Sequence, residues 1–203
     1  MRPGNPQILT CPFCGTEKEI MSLASGNTFG SKLWSDNKQI APMLPEISYI
    51  QKCPCCGKYY IKGRQAVRFS DRNYCLETGV LTFHELKEAF EQLSEEGFID
   101  VREESRVRLM LHHAYNDYYF RNKDRKDIPE IDKQMFHDNA LWLINNFLKN
   151  NVMIAEFYRE IGDMEAAKEI LDSTEVEDDF LKKIVSSIRE RLAINQCEVF
   201  RIR

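Results

Sequence analysis

The spacing of apolar residues changes near residue 80 of the 203-residue chain. Beyond that point apolar side chains recur every three or four positions, which places them on one face of a helix. Before it, apolar runs are short and are interrupted by Gly, Pro and polar residues. Residues 58–62 are aromatic and β-branched, which is typical of a β-strand, and residues 64–69 are a candidate for a second strand. The pattern predicts an α+β protein that is mostly α.

Apolar stripes and end signals predict the helices. Thr82 followed by Glu85 forms a capping box, and Gly97 marks the end of this first helix. The later stripes are Val107, Met110, Leu111, Ala114, Tyr115 and Tyr118; then Phe136, Ala140, Leu143, Ile144 and Phe147; and finally Leu181, Ile184, Val185, Ile188 and Leu192. His112 and His113 lie beside the second stripe and point about 100° apart on a helix, so we expect them to be flanking or interface residues rather than a metal-binding pair. The charged run 121–127 is interpreted as a solvated connection.

Residues 154–171 resemble one tetratricopeptide repeat, a pair of antiparallel helices that stacks on its neighbours. The matching positions are Ile154, Ala155, Tyr158, Gly162, Asp163, Ala167 and Leu171. Small residues at 155 and 167 allow two helices to approach closely, and Gly162 allows the turn. Asn151 and Asp179 depart from the repeat pattern. One repeat cannot bury its own apolar face, so we interpret 105–120 and 133–148 as a degenerate preceding repeat.

The strongest chemical signal is a C-P-x-C-G motif that occurs twice. It comprises Cys11 and Cys14 at the first site, and Cys53 and Cys56 at the second. Four thiolates in two such pairs are the ligand set of a tetrahedral structural zinc site. Because four cysteines close the coordination shell and no His–Glu pair lies nearby, the sequence favours structural Zn²⁺ over catalytic Zn²⁺. We expect metal removal to unfold the N-terminal module while the helical part stays folded.

Two alternatives remain for the cysteines. Cys55 lies inside the second motif and could replace Cys53 or Cys56 as a ligand. A thioredoxin-like dithiol would also use C-x-x-C, but it expects one pair in a βαβ context rather than two pairs that each precede a Gly. Cys75 and Cys197 are interpreted as small buried apolar residues.

Charge divides the chain into two parts. Residues 1–75 hold ten Lys and Arg against five Asp and Glu, whereas residues 76–203 hold eighteen against twenty-seven. We therefore predict a zinc-ribbon-like module with a long insertion over 1–75 and a tetratricopeptide-like helical domain over 76–203. No apolar leader opens the chain, and runs such as 141–144 are too short to span a bilayer, so the predicted location is the cytoplasm, with no membrane partner.

The combination resembles a family of uncharacterised bacterial proteins that place paired C-P-x-C-G motifs before tetratricopeptide-like helices. The residues that carry this resemblance are Cys11, Cys14, Cys53 and Cys56, with Tyr158, Gly162, Asp163 and Ala167 in the helical part. The resemblance implies a metal-stabilised module joined to a protein-binding scaffold, and it implies no reaction.

Three functional hypotheses follow. The first is a non-enzymatic scaffold for a protein or peptide partner. The second is nucleic-acid binding. Basic residues interleave with aromatic residues after the second motif: Lys58, Lys62, Arg64, Arg68 and Arg72 with Tyr59, Tyr60 and Phe69. The alternative is that these aromatics pack on the zinc site.

The third hypothesis is an enzyme, either a thiol oxidoreductase or an enzyme with a site in the insertion 25–46, whose acids are Asp36 and Glu46. The oligomeric state and the partner's identity do not follow from the sequence.

Overall fold

A computed structural model describes residues 1–121 and 127–202 and shows an α+β protein that is mostly α, as predicted. The strands are β1 (Arg2–Pro3), β2 (Gln7–Thr10), β3 (Glu17–Ile20), β4 (Leu23–Ser25), β5 (Lys32–Leu33), β6 (Gln39–Ile40), β7 (Ile50–Lys52), β8 (Tyr59–Ile61) and β9 (Arg68–Phe69). The α-helices are α1 (Phe83–Glu96), α2 (Val101–Asn116), α3 (Glu130–Asn146), α4 (Asn151–Glu160), α5 (Met164–Asp172) and α6 (Asp179–Leu192). No helix among these residues is long and apolar enough to cross a membrane.

The chain forms two compact units. Unit 1 comprises residues 1–31 and 40–98, and unit 2 comprises residues 32–39 and 99–203. These units differ from the predicted division after residue 75 in two places, because α1 lies in unit 1 and residues 32–39 lie in unit 2. As a statement about independently folding domains, that division stays a prediction.

Unit 1 is a set of short antiparallel strand pairs with one helix. β2 pairs with both β3 and β9, and β7 pairs with β8. Of the second predicted strand, 64–69, the structure forms only β9, because a 3₁₀ turn occupies Lys62–Arg64. The helix α1 is attached to β8 by the Gln92 side chain, whose amide donates to the Tyr59 carbonyl over 2.8 Å and whose oxygen accepts from the Tyr59 N–H over 3.0 Å.

Side-chain caps fix where most helices of unit 2 begin. Asp100, Asn150, Asp163 and Asp178 each accept a hydrogen bond from a first-turn N–H of α2, α4, α5 and α6. In unit 1, Thr82 and Glu85 form both bonds of the predicted capping box. The last residues of the predicted second helix adopt a π-helical turn over Asp117–Arg121. Most of the predicted connection, residues 122–126, lies outside the described residues.

The predicted helical hairpin is present as α4 and α5. Ala155 and Ala167 are fully buried, with Val152 and Leu171, in one apolar cluster, and α6 adds Ile184 and Ile188 to it. A turn at Gly162, with φ of 88°, joins the two helices. Small residues at the contact thus allow the close packing that the sequence indicated, while the repeat assignment itself stays a prediction.

Candidate metal centre and a buried polar cluster

Each pair of candidate ligands lies on a tight turn that follows a strand. Cys11 follows β2 and Cys53 follows β7. The Gly15 N–H donates to the Cys11 carbonyl over 2.9 Å, and the Gly57 N–H donates to the Cys53 carbonyl over 3.1 Å. Both glycines have φ of 73°, a left-handed conformation that residues with a Cβ adopt at a cost. The two motifs therefore have matching backbones, and the glycine in each is required by its turn.

The two turns bring four sulfurs together. The ligand atoms of Cys11, Cys14, Cys53 and Cys56 all lie within 4.8 Å of one another. Cys11 Sγ is 3.7 Å from Cys56 Sγ, and Cys14 Sγ is 3.5 Å from Cys53 Sγ. A tetrahedral ion with Zn–S bonds of about 2.3 Å would separate its sulfurs by about 3.8 Å. The two distances therefore fit a four-sulfur metal site, and the residues that the fold assembles are the four named from the sequence.

The other three cysteines lie outside this group. Cys55 is exposed, and Cys75 and Cys197 are half-buried rather than fully buried as expected. Among the residues that the structure describes, the cluster of Cys11, Cys14, Cys53 and Cys56 is the group whose ligand atoms could hold a metal ion. The geometry thus favours Cys56 over Cys55 at the second turn.

The electrostatics of the cluster depend on how much negative charge it holds. Hydrogen bonding to the Thr16 side chain and backbone lowers the pKa of Cys14 to about 6. The pKa of Cys56 is raised to about 12: a backbone hydrogen bond from Lys58 favours its thiolate, but burial and contact with the other three sulfurs outweigh it. Burial also raises the pKa of Cys11. The Cys14 thiolate therefore forms readily, whereas ionisation of Cys11 and Cys56 is opposed unless a cation compensates for the charge.

The aromatic side chains beside the site belong to its packing. Tyr60 forms a buried cluster with Leu9, Ile20, Cys11 and Cys53, and Tyr59 is also buried. This arrangement matches the packing alternative and leaves these two rings inaccessible to nucleic-acid bases.

The basic residues proposed for nucleic-acid binding are mostly engaged. Arg68 forms an ion pair with Glu17, and Arg72 pairs with Glu19 over 3.2 Å. Lys58 lies over the Phe13 ring at 4.6 Å. Phe69 remains exposed, at 64%. Neighbouring carboxylates therefore offset two of the charges that the nucleic-acid hypothesis requires.

Comparison with known proteins gives no relative for this chain. No protein-family model, no curated protein and no solved structure matches it. Functional inference therefore depends on the residues of the chain itself.

Unit 2 contains a polar cluster that the sequence did not indicate. Its members come from residues 32–39, from α2 and the following π turn, and from α4, and we call them the buried polar cluster. They are Asp36, His112, His113, Asn116, Arg121 and Glu160. His112, expected as a flanking or interface residue, is buried at the contact of α2 with two other helices, stacked between the rings of Phe136 and Phe157 at 4.5 and 4.1 Å.

One amide holds two carboxylates in this cluster. The Asn116 side-chain nitrogen donates to Asp36 Oδ2 and to Glu160 Oε2, each over 3.0 Å. The Arg121 guanidinium pairs directly with Asp36. Glu160 contacts the His112 ring instead, with 2.9 Å between Oε2 and Nε2. Arg121 thus pairs directly with Asp36, whereas Glu160 contacts the Asn116 amide and the His112 ring and has its cation, Arg159, only as a favourable charge interaction.

This asymmetry explains the titration of the cluster. Burial, reinforced by the charge of Asp36, raises the pKa of Glu160 to about 7. Burial lowers the pKa of His112 to about 4, so the ring is neutral at pH 7. Glu160 Oε1 and His112 Nδ1 have no hydrogen-bond partner among the described residues. The feature of the sequence that could have pointed to this region is the spacing of its polar residues. His112 and Asn116 are four residues apart on α2, and Glu160, which belongs to the cluster, is four residues after Glu156 on α4.

The cysteine assignment predicts different outcomes for two neighbouring substitutions. We expect purified wild-type protein to hold about one Zn²⁺ per chain. Cys53→Ser should lose it, because three sulfurs and a hydroxyl form a poorer site. Cys55→Ser is the matched control and should retain the metal, because Cys55 is exposed outside the cluster. Elemental analysis with a free-thiol count measures both, and equal metal loss in the two variants would contradict the assignment.

Glu160→Gln should change the pH dependence of stability. The folded state raises the pKa of Glu160 from 4.5 to about 7. Its contribution to wild-type stability is therefore greatest below pH 4.5 and declines until pH 7. Relative to wild type, the variant should gain up to about 3 kcal/mol in free energy of unfolding across this range. Urea unfolding at several pH values measures the difference.

The exposed Glu169 provides the control, since Glu169→Gln should leave the pH profile unchanged. A difference between Glu160→Gln and wild type that stays constant from pH 4.5 to 7 would refute a raised pKa at Glu160.

Proposed function

We propose that this chain is a non-enzymatic zinc protein whose helical unit binds a protein or peptide partner. The observation that carries the zinc assignment is the approach of four cysteine sulfurs to within 4.8 Å. Bound Zn²⁺ would supply the positive charge that allows all four cysteines to be thiolates. The thiols require a reducing compartment, and we propose the cytoplasm.

A structural role is proposed for the zinc because the cysteines also belong to the core of unit 1. Cys11 and Cys53 lie in the same buried cluster as Leu9, Ile20 and Tyr60. Four protein ligands fill a tetrahedral shell and leave no position for a substrate or water. The small size of this cluster makes unit 1 the kind of module that a metal ion stabilises.

The partner-binding role rests on the helical unit. Its α4–α5 hairpin has the small buried alanines of a tetratricopeptide-like pair, and such arrays bind peptides along their helical surfaces. A mostly apolar groove of about 420 Å³ runs between α5 and α6. Its lining includes Met164, Lys168, Arg189, Leu192 and Ala193. Apolar side chains with flanking charges suit an amphipathic peptide segment.

Chelation tests the structural role of the metal. Removing zinc from the full chain should lower hydrogen-exchange protection at Leu9, Ile20, Ile50 and Ile61, because their strands carry or adjoin the cysteine turns. Amides of α3 and α4 should keep their protection, and added Zn²⁺ should restore the strands. Unchanged protection in the strands after verified metal loss would exclude a structural metal.

A charged substitution tests the groove. Ala193→Arg places a long cation at the groove with little expected stability cost, since Ala193 is the exposed C-cap of α6. Ile194→Arg is the matched control, because Ile194 is adjacent and 69% exposed but does not line the groove. Quantitative cross-linked purification from source cells should recover partners with wild type and Ile194→Arg, at least tenfold above Ala193→Arg. Equal recovery with both variants would remove the groove as the binding surface.

A further inference from the structure

Residues 32–39 form a hairpin that belongs to unit 2, although the flanking residues belong to unit 1. We call these residues the inserted hairpin. The Trp34 N–H donates to the Lys38 carbonyl and the Asn37 N–H donates to the Trp34 carbonyl, both over 2.9 Å. Asn37 closes the turn with φ of 64°. The sequence left open whether the insertion forms a surface or a buried plug, and in this part it is buried at Ser35 and Asp36.

The backbone of the inserted hairpin pairs with the last described residues of the chain. The Ser35 N–H donates to the Phe200 carbonyl and the Ile202 N–H donates to the Leu33 carbonyl, both over 2.9 Å. The Phe200 N–H also donates to Ser35 Oγ over 3.1 Å. Main-chain pairing of this kind is how many proteins bind an added strand, and it contributes affinity with little dependence on sequence.

Three side chains of the inserted hairpin contact other residues of unit 2, and such contacts would make binding of the hairpin depend on its sequence. The Asp36 carboxylate is bound by Arg121 and Asn116. The Trp34 ring lies 5.1 Å from the guanidinium of the same Arg121. Lys38 Nζ lies 2.5 Å from Asp117 Oδ2. The aromatic residue, the acid and the base therefore alternate along the hairpin, and each meets a complementary group of unit 2.

Three polar atoms at this contact lack partners in the part of the chain that the structure describes, one on the inserted hairpin itself and two on the residues around it. Trp34 Nε1, Arg121 Nε and Asn116 Oδ1 are buried atoms without a hydrogen-bond partner among the described residues. A cavity of about 280 Å³ lies along the hairpin. Its lining includes Leu33 and Trp34 of the hairpin and Val152 and Ile184 of the helices. Of the residues that carry these atoms, Trp34 also lines the cavity. Because buried polar atoms are usually paired, the three atoms indicate that the contact between the hairpin and its surroundings leaves binding capacity unused.

We infer that the inserted hairpin is an intramolecular ligand of a loop-binding site on unit 2. The partner of this site is a protein loop that presents an aromatic residue, a carboxylate two positions later and a cation two positions after that. This inference goes beyond the proposed function, because it adds a second binding site whose partner chemistry differs from that of the α5–α6 groove. The tethered hairpin competes with such a loop at an effective concentration on the order of millimolar, so unmodified protein binds a free loop weakly.

A peptide supplied in trans tests the inference. The probe is a labelled synthetic peptide of residues 30–41, cyclised end to end to hold the turn. The receptor is the full chain carrying Trp34→Ala and Asp36→Ala, which removes two anchors of its own hairpin. We expect the peptide to bind this double variant at least tenfold more tightly than wild type, as measured by fluorescence anisotropy. A peptide with the same two replacements should lose at least tenfold.

Phe29→Ala is the matched chain variant, because Phe29 is 83% exposed and lies in the same insertion. It should bind the peptide as weakly as wild type does. If the double variant is unfolded alone, the peptide should restore its far-UV helical signal. A folded double variant that binds no more tightly than wild type, or an unfolded one that the peptide does not restore, would show that the hairpin is an inseparable part of the core.

The two proposals fail in different ways. Failure of the peptide to bind or to restore the double variant removes the intramolecular-ligand inference and leaves the α5–α6 groove untouched. Equal partner recovery with Ala193→Arg and Ile194→Arg removes the groove and leaves the peptide result as it stands. The peptide measurement therefore tests the hairpin site, and the purification tests the α5–α6 groove, each independently of the other.

Discussion

Repulsion among cysteine thiolates is the constraint that the four clustered sulfurs impose on unit 1. Within 4.8 Å of one another, they cannot all be thiolates without a cation. The polypeptide alone lets Cys14 ionise and opposes ionisation at Cys11 and Cys56. Because two of these cysteines also lie in the buried cluster of unit 1, the charge state of the sulfurs and the packing of the strands are a single problem. A divalent ion resolves both, which is the physical case for structural zinc.

Unit 2 contains the same kind of problem and meets it with protein groups. Asp36 is buried as an anion because Arg121 pairs with it and Asn116 donates to it. Glu160 contacts the Asn116 amide and a neutral His112, and the charge of Arg159 offsets its burial only in part, so Glu160 takes up a proton as the pH falls below about 7. Removing one partner of such a buried pair costs more than the pair contributes, because the remaining charge is left unpaired. Loss of Asp36 would remove one of the two carboxylates that, among the described residues, pair with the buried Arg121 guanidinium, the other being Asp117.

Local signals in the sequence were sufficient for part of this structure. The repeated C-P-x-C-G motif identified the four clustered cysteines, and Thr82 with Glu85 identified the start of α1, because each signal acts within about five residues.

The position of Asp36 could not be predicted, since its partners Asn116 and Arg121 lie about eighty residues later and only tertiary folding brings them together. The partners of His112 could not be predicted for a related reason: its ring packs between Phe136 and Phe157, and an imidazole stacked on aromatics has no distinct signature in the periodicity of α2. The division of the chain into parts was read from charge, which does not report that residues 32–39 join the later helices.

The burial of Asp36 also bears on catalysis. The insertion 25–46 offered Asp36 and Glu46 as its acids, and a loop-built enzyme site would need one of them to meet a substrate. Asp36 is instead fully buried, and its carboxylate is held by Arg121 and Asn116, which stabilise the charged form and lower its basicity. A general base needs both access to a proton and a pKa near the working pH, and Asp36 has neither in this arrangement. The same contacts suit recognition. A loop that lacked the carboxylate would leave the Arg121 guanidinium without this partner, so the site would discriminate strongly against such a loop.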